Sequence, residues 1–236
     1  MMGGWGDEVM ANVVMEEDGV MAEWGGFPIT PSSHHQIQMR VIAGFLKGRR
    51  LASPSWDGLR PTSDKLRETL FNILAPRIAG ARVLDGYAGT GAIGIEALSR
   101  GASAVTFVDS DRRAQALIEE NLVRCGIAEG YAIIRESVER ALDTLRDRAR
   151  SAPFDLVLLD PPYNRRPGGS GGPGGPGDPG EFDTVLAAAG VVMAADGLLV
   201  LEHSRKRATP EAAGVLVRTR EVTSGDSALT LYAVKR

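Results

Sequence analysis

The chain has 236 residues, 43% of them hydrophobic and 24% charged, which is typical of a globular protein that buries a sizeable core. Its single cysteine, Cys125, excludes an internal disulfide and a cysteine-rich zinc site. There is no apolar run of about 18 residues and no basic start followed by an apolar stretch, so we expect no membrane span and no signal peptide. We therefore place the protein in the cytoplasm.

The net charge of −3 is unevenly distributed along the chain. Residues 1–38 hold six acidic residues and no lysine or arginine, which leaves 27 basic against 24 acidic residues from Met39 onward, a net charge of +3. Because residues 1–38 show no sustained hydrophobic period, we predict a disordered acidic tail. The adjacent His34 and His35 are too few to indicate a metal site, and we expect none.

A basic segment follows the tail. Two short strands joined by a turn are predicted in a hairpin that spans residues 39–58, and a helix follows it and stops before Pro76. Residues 40–68 carry seven basic side chains against three acidic ones, so phosphate is a natural partner, although a solvated hairpin gives the same pattern. The basic residues are Arg40, Lys47, Arg49, Arg50, Arg60, Lys65 and Arg67.

Apolar strands then alternate with amphipathic helices. The predicted strands are Arg82–Asp85, Val105–Asp109, Tyr131–Arg135, Leu156–Asp160 and Leu198–Glu202, followed by a hairpin of Leu216–Val222 and Leu229–Lys235. This alternation predicts a doubly wound α/β domain with a mainly parallel sheet covered on both faces. Residues 165–180, almost entirely Gly and Pro, predict a flexible loop that is either a lid or a tolerated insertion.

The turn after the first strand, Asp85-Gly86-Tyr87-Ala88-Gly89-Thr90-Gly91, is rich in glycine and suits close approach of a small molecule to the backbone. Gly89 to Gly94 match the dinucleotide pattern G-x-G-x-x-G, and Asp109 follows at the spacing expected for a ribose-binding acid. Asp85 would repel a pyrophosphate but attract an ammonium group. S-adenosylmethionine, which has a ribose and an ammonium, fits the two acids better than NAD does.

Asp160-Pro161-Pro162-Tyr163 ends the fourth strand at the same edge of the sheet. Consecutive prolines hold their carbonyls rigidly, so Asp160 and Pro161 can accept hydrogen bonds from both N–H groups of an exocyclic amine. Tyr163 can stack on the base that carries this amine. The two motifs together predict methyl transfer to an aromatic amine.

From Met39 onward the sequence resembles the bacterial 16S rRNA (guanine-N2)-methyltransferases, the small-subunit rRNA methyltransferase D type. The resemblance is carried by Met39–Gly44, Leu59–Thr62 with Arg67–Asn72, Leu84–Ala102 and Asp160–Tyr163. It implies a monomeric, seven-stranded, Rossmann-like methyltransferase domain whose N-terminal hairpin helps to hold 16S rRNA in the small subunit or a late assembly intermediate.

The resemblance also assigns roles to residues. It implies that the cofactor contacts Asp85, Tyr87, Gly89, Thr90, Gly91, Asp109 and Ser137, that Asp160, Pro161, Pro162 and Tyr163 hold the reacting amine, and that Arg60 and Thr62 border the active site. The chain departs from the family where Asp109 replaces a usual Glu, where Ser137 replaces an acid or amide near the adenine, in its longer loop and in residues 1–38. Methylation of adenine N6, or RNA binding without catalysis as an assembly factor, are the alternative functions.

Overall fold

The computed structural model describes residues 39–54, 56, 64–162 and 182–235, all of which fall in the unit Gln36–Arg236. The predicted acidic tail, Arg60, Thr62, Tyr163 and the Gly/Pro loop lie outside the described residues. The division at residue 38 and the flexible loop therefore stay predictions.

In the described part of the chain, eight strands form one mixed sheet in the order β3-β2-β1-β4-β5-β8-β7-β6. The strands are β1 Arg82–Gly86, β2 Ala104–Val108, β3 Tyr131–Ile134, β4 Phe154–Leu159, β5 Met193–Ser204, β6 Ala212–Ala213, β7 Leu216–Ser224 and β8 Ser227–Val234. Strands β1 to β5 pair in parallel, and β8, β7 and β6 continue the sheet in antiparallel pairs. The central pair β1 and β4 places their two carboxyl ends side by side, with Gly86 opposite Leu159.

Helices cover both faces of the sheet. They are α1 Asp64–Leu74, α2 Ala92–Ser99, α3 Arg112–Cys125, α4 Val138–Ala149 and α5 Asp183–Val191. One core packs α1, α2 and α3 against alternate strand residues such as Val83 and Phe107, and the other packs α4 and α5 against their neighbours, such as Leu84 and Val108. The doubly wound α/β fold is therefore confirmed.

The sheet has one strand more than the seven expected. The additional strand is the two-residue β6, which pairs with the start of β7 across a tight turn at Gly214, whose φ is 57°. Within the described ranges, no helix is long and apolar enough to cross a membrane.

Residues 39–51 form a hairpin, which we call the N-terminal hairpin, but it holds one isolated bridge between Arg40 and Arg50 instead of the two regular strands expected. The ladder stops because the next backbone N–H groups, of Ile42 and Ala43, donate to the carboxylate of Glu96 on α2. Apolar side chains of the hairpin pack into the core that contains α1, α2 and α3.

Candidate active site

The turn between β1 and α2 follows a path that favours glycine. Gly89 and Gly91 have φ values of 56° and 73°, in the left-handed region, and Gly91 is the N-cap of α2. Tyr87 also lies in this region, with a φ of 61°, which is uncommon for a residue with a side chain. Its hydroxyl lies 3.1 Å from Glu139 Oε1, so α4 contributes to holding the turn.

Asp85 lies at the base of this turn and is only 2% exposed. Its Oδ2 accepts a hydrogen bond of 2.8 Å from the backbone N–H of Gly94 in α2. Burial raises the pKa of Asp85 to about 8; the Gly94 hydrogen bond opposes this shift and the charge of Asp109 adds to it. A cation brought next to this carboxyl group would favour its ionised form, so the side chain of Asp85 fits the ammonium expected from the sequence.

Gly94 is needed for contact between α2 and the sheet. A Cβ at this position would lie 2.2 Å from Cε1 of Phe107 on β2. The third glycine of the motif therefore allows α2 to approach closely enough for its N–H to reach Asp85.

Asp109 follows β2 and already accepts two backbone hydrogen bonds. Its Oδ2 accepts from Gly89 N at 2.8 Å, and its Oδ1 accepts from Asp111 N at 2.9 Å. A carboxylate oxygen has two acceptor positions, so each oxygen keeps one for a ribose hydroxyl. Gln115, which the sequence did not single out, donates to the backbone oxygen of Asp109 at 2.8 Å.

Asp160 follows β4 and lies beside the turn. Its backbone N–H donates to the carbonyl of Gly86 at 3.3 Å, so the structure brings the two predicted motifs together at the carboxyl edge of the sheet. Asp160 and Pro161 are half-buried, and Pro162 is exposed. Tyr163, the remaining member of this predicted corner, lies outside the described residues.

Thr90 and Ser137 both have structural partners in addition to their predicted cofactor contacts. The buried hydroxyl of Thr90 accepts from Ala92 N at 3.3 Å, within the first turn of α2. Ser137 is the N-cap of α4, and its Oγ accepts from Arg140 N at 3.4 Å. The contact of Ser137 with an adenine stays a prediction.

The predicted RNA-contacting residues divide into two groups. Arg40, Lys47, Arg49 and Arg50 are exposed on the N-terminal hairpin, where phosphate can reach them. Arg67 is fully buried, so its assignment to RNA contact was wrong. Its Nη2 donates to the carbonyl of Arg40 at 3.0 Å and to Asp64 Oδ1 at 2.6 Å, and it thereby fixes α1 to the hairpin.

Three polar residues with structural roles were missed in the sequence. The fully buried carboxylate of Glu96 accepts from Ile42 N at 2.6 Å and from Ala43 N at 2.9 Å. The hydroxyl of Ser99 accepts from Leu46 N at 3.0 Å. Asn121 on α3 is the third of these residues, and its Nδ2 donates to the carbonyl of Thr90. The sequence pattern that could have indicated these roles is a polar residue within an apolar helical stripe, as at Glu96 in α2 and Asn121 in α3.

Two cavities lie away from the turn. One, of about 390 Å³, lies at the amino ends of β1 to β4, the edge of the sheet opposite the turn, and includes Arg82 and Phe154 in its lining. The other, of about 340 Å³, lies between the N-terminal hairpin and α1, and its lining includes Arg40, Lys47 and Lys65.

Known proteins have sequences similar to this chain. The sequence model of the family described as "Conserved hypothetical protein 95" matches residues 39–169. The "Putative rRNA methyltransferase YlbH" of Bacillus subtilis is 36% identical over 194 residues, which cover 82% of this chain and 98% of that protein. The "Ribosomal RNA small subunit methyltransferase D" of Haemophilus influenzae is 41% identical over 137 residues, which cover 57% of this chain and 68% of that protein.

The chain belongs to the small-subunit rRNA methyltransferase D family. The family resemblance seen in the sequence is thus confirmed. Among solved structures, the "Putative methyltransferase yhhF from Escherichia coli" superposes with a TM-score of 0.66 at 29% identity and covers 84% of this chain and 98% of that protein. This similarity confirms the methyltransferase form of the Rossmann-like fold for this member of the methyltransferase D family.

Proposed function

We propose that this chain transfers a methyl group from S-adenosylmethionine to the exocyclic N2 amine of a guanine in the 16S rRNA of the small ribosomal subunit. The observation that carries the proposal is the position of Asp160 against Gly86, which puts an acceptor for an amine beside the turn that holds Asp85. The names of the methyltransferase D relatives support rRNA as the substrate class.

The cofactor's contacts with the chain follow from the turn. Asp85 holds the ammonium group, Asp109 accepts from the ribose hydroxyls, and Gly89 and Gly91 keep side chains out of the turn. When bound, S-adenosylmethionine would supply an electrophilic methyl group and be left as S-adenosylhomocysteine, while the amine that receives the methyl group would lose one proton to solvent.

The amine is oriented by residues that follow β4. An exocyclic amine of a base is a poor nucleophile because its lone pair is delocalised into the ring. Hydrogen bonds from its two N–H groups to the Asp160 carboxylate and the Pro161 carbonyl raise electron density on nitrogen as it attacks. The guanine must be turned out of the folded RNA to reach this position.

The RNA is held by charge on the N-terminal hairpin. Four exposed basic side chains, Arg40, Lys47, Arg49 and Arg50, form a phosphate-binding surface on this hairpin. The proposed enzyme acts as a monomer on the small subunit or on a late assembly intermediate.

The test is transfer of labelled methyl groups to small subunits from a strain that lacks the modification, with naked 16S rRNA and DNA as parallel substrates. Mass spectrometry of the nucleosides should identify N2-methylguanine. Methyladenine as the product would replace guanine with adenine in the proposal, and RNA binding without transfer to any substrate would favour an assembly factor.

A variant pair tests the role of Asp160. Asp160→Ala should lower kcat by about 10²–10³ because one fixed acceptor of the reacting amine is lost. Affinity for S-adenosylhomocysteine, measured by calorimetry, should stay nearly unchanged. Asp147→Ala, which changes the same residue type at a side chain that is 91% exposed on α4, is the matched control and should behave like the wild type. An equal loss of cofactor affinity in Asp160→Ala would contradict the assigned role.

A further inference from the structure

Asn121 is a fully buried amide that joins two distant parts of the chain. Its Nδ2 donates to the carbonyl of Thr90 in the glycine turn at 2.9 Å and to the carbonyl of Ala52 at 3.2 Å. Its Oδ1 accepts from Ala52 N at 2.6 Å. Both amide hydrogens and one oxygen lone pair are therefore used, and loss of this side chain would leave three backbone groups without these partners.

Trp56, four residues after Ala52, lies near the residues that hold Asp109, the predicted ribose-binding acid. Trp56 stacks on the guanidinium of Arg113, which is 5.0 Å from the centre of its ring. Arg113 pairs with Asp111 at 2.7 Å, and Asp111 N donates to Asp109. Ala52 is thus linked to the glycine turn through Asn121, and Trp56 contacts the start of α3.

The chain that precedes Ala52 is the N-terminal hairpin, and α2 contacts this hairpin through residues other than Asn121. Glu96 accepts hydrogen bonds from Ile42 and Ala43, and Ser99 donates to the carbonyl of Ala43 at 2.5 Å. The same helix donates its Gly94 N–H to Asp85. The hairpin and the cofactor turn are consequently joined at two places, by α2 and by Asn121.

We infer that Asn121 is a positioning residue that couples occupancy of the cofactor turn to the RNA-binding hairpin. A bound cofactor restricts the turn at Thr90, and Asn121 transmits this restriction to Ala52 and the segment up to Trp56. The hairpin then loses less freedom when RNA binds, so each ligand raises the affinity of the other, by the same factor in both directions. The inference rests on the proposed function, because it takes S-adenosylmethionine and rRNA as the two ligands.

The test uses the full chain with Trp5→Phe and Trp24→Phe, which leaves Trp56 as its single tryptophan. Quenching of Trp56 fluorescence by acrylamide reports whether the segment is docked, and S-adenosylhomocysteine should reduce the quenching. The Kd for 16S rRNA should be at least about fivefold lower with saturating S-adenosylhomocysteine than without it. Fivefold is the lower end of typical coupling between two sites.

Two substitutions remove the link. Asn121→Ala deletes the amide, and Asn121→Leu keeps a similar volume but makes none of the three hydrogen bonds. In both variants, acrylamide should quench Trp56 more strongly. The RNA Kd should then be about the same with and without S-adenosylhomocysteine. Leu145→Ala, in α4 and in the opposite core, lowers stability without touching the segment and should retain the coupling. All chains are measured well below their own unfolding temperatures.

The outcomes separate the two proposals. Failure of the parent chain to bind S-adenosylhomocysteine or RNA would overturn the proposed function, and the coupling with it. Binding of both ligands without mutual effect would overturn only the coupling. Coupling that persists in a folded Asn121 variant, or loss of folding in both variants, would show that Asn121 is only structural and would reject the inference.

Discussion

The buried carboxyl group of Asp85 should make cofactor binding depend on pH. With a pKa of about 8, Asp85 is mostly protonated at neutral pH in the free protein, whereas an ammonium group binds best to the ionised form. Affinity should therefore rise with pH up to about 8. At higher pH the ligand's own α-amino group, which belongs to a free amino acid and keeps its charge to a higher pH than a peptide N-terminus does, is deprotonated in turn, and the affinity should fall again.

The size of the effect follows from the pKa. About half of Asp85 is ionised at pH 8 and about 1% at pH 6, so the contribution of the ion pair to affinity should fall by about fiftyfold over this range. The stability of the free protein should change in the opposite direction. Because the folded pKa is raised above the value of 3.8, the stabilisation from proton binding is complete below that value. This stabilisation of the folded state decreases by about 1.4 kcal/mol per pH unit as the pH rises to about 8.

Isothermal calorimetry with S-adenosylhomocysteine from pH 6 to pH 9 tests this reasoning. Near pH 7, binding should release close to one proton, which can be counted by comparing buffers with different ionisation enthalpies. Asp85→Asn should bind more weakly at pH 8 but match the wild type at pH 6, where the wild-type carboxyl group is also neutral. Wild-type affinity that stays constant between pH 6 and pH 8 would refute either the raised pKa or the contact with the ammonium group.

Three further predictions concern packing and RNA contact. Arg67→Ala should lower the free energy of unfolding by about 2–4 kcal/mol, because a large buried side chain is deleted and the Arg40 carbonyl and the Asp64 carboxylate lose their donor, whereas the exposed Arg50→Ala should leave stability within about 0.5 kcal/mol. Arg50→Ala should instead weaken RNA binding and reduce its salt slope by about 1, and the reverse pattern in the two variants would contradict the division between them. Gly94→Ala should cost about 1–3 kcal/mol in urea unfolding because its Cβ would collide with Phe107, although alanine normally stabilises a helix relative to glycine. Unchanged stability in Gly94→Ala would show that α2 does not depend on this close approach.

The succession of strands and helices along the chain was predictable from the sequence because it depends on local patterns. Apolar runs such as Leu156–Asp160 and the helical stripe that ends at Gly126 carry enough signal on their own, and Gly126 does end α3 in the left-handed conformation. The adjacency of the two motifs was also predictable, since carboxyl ends of neighbouring parallel strands meet at one edge of a sheet.

The role of a charged residue was harder to predict because it depends on partners distant in sequence. Arg67 and Arg50 are chemically identical, but one is buried against the carbonyl of Arg40 and the other faces solvent. Glu96 lies 53 and 54 residues from the N–H groups that it binds. These contacts also explain why the hairpin has one bridge instead of two strands, a departure that no local pattern indicated.

Helix α2 combines the two functions of the site in eight residues. Gly94 and Glu96 are two positions apart, which separates them by about 200° around the helix. One side therefore lies against β2 and holds Asp85, while the other holds the N-terminal hairpin through Glu96 and Ser99. The contacts of α2 therefore fix the place of the hairpin beside the cofactor turn, whereas the proposed coupling between the two ligands depends on Asn121.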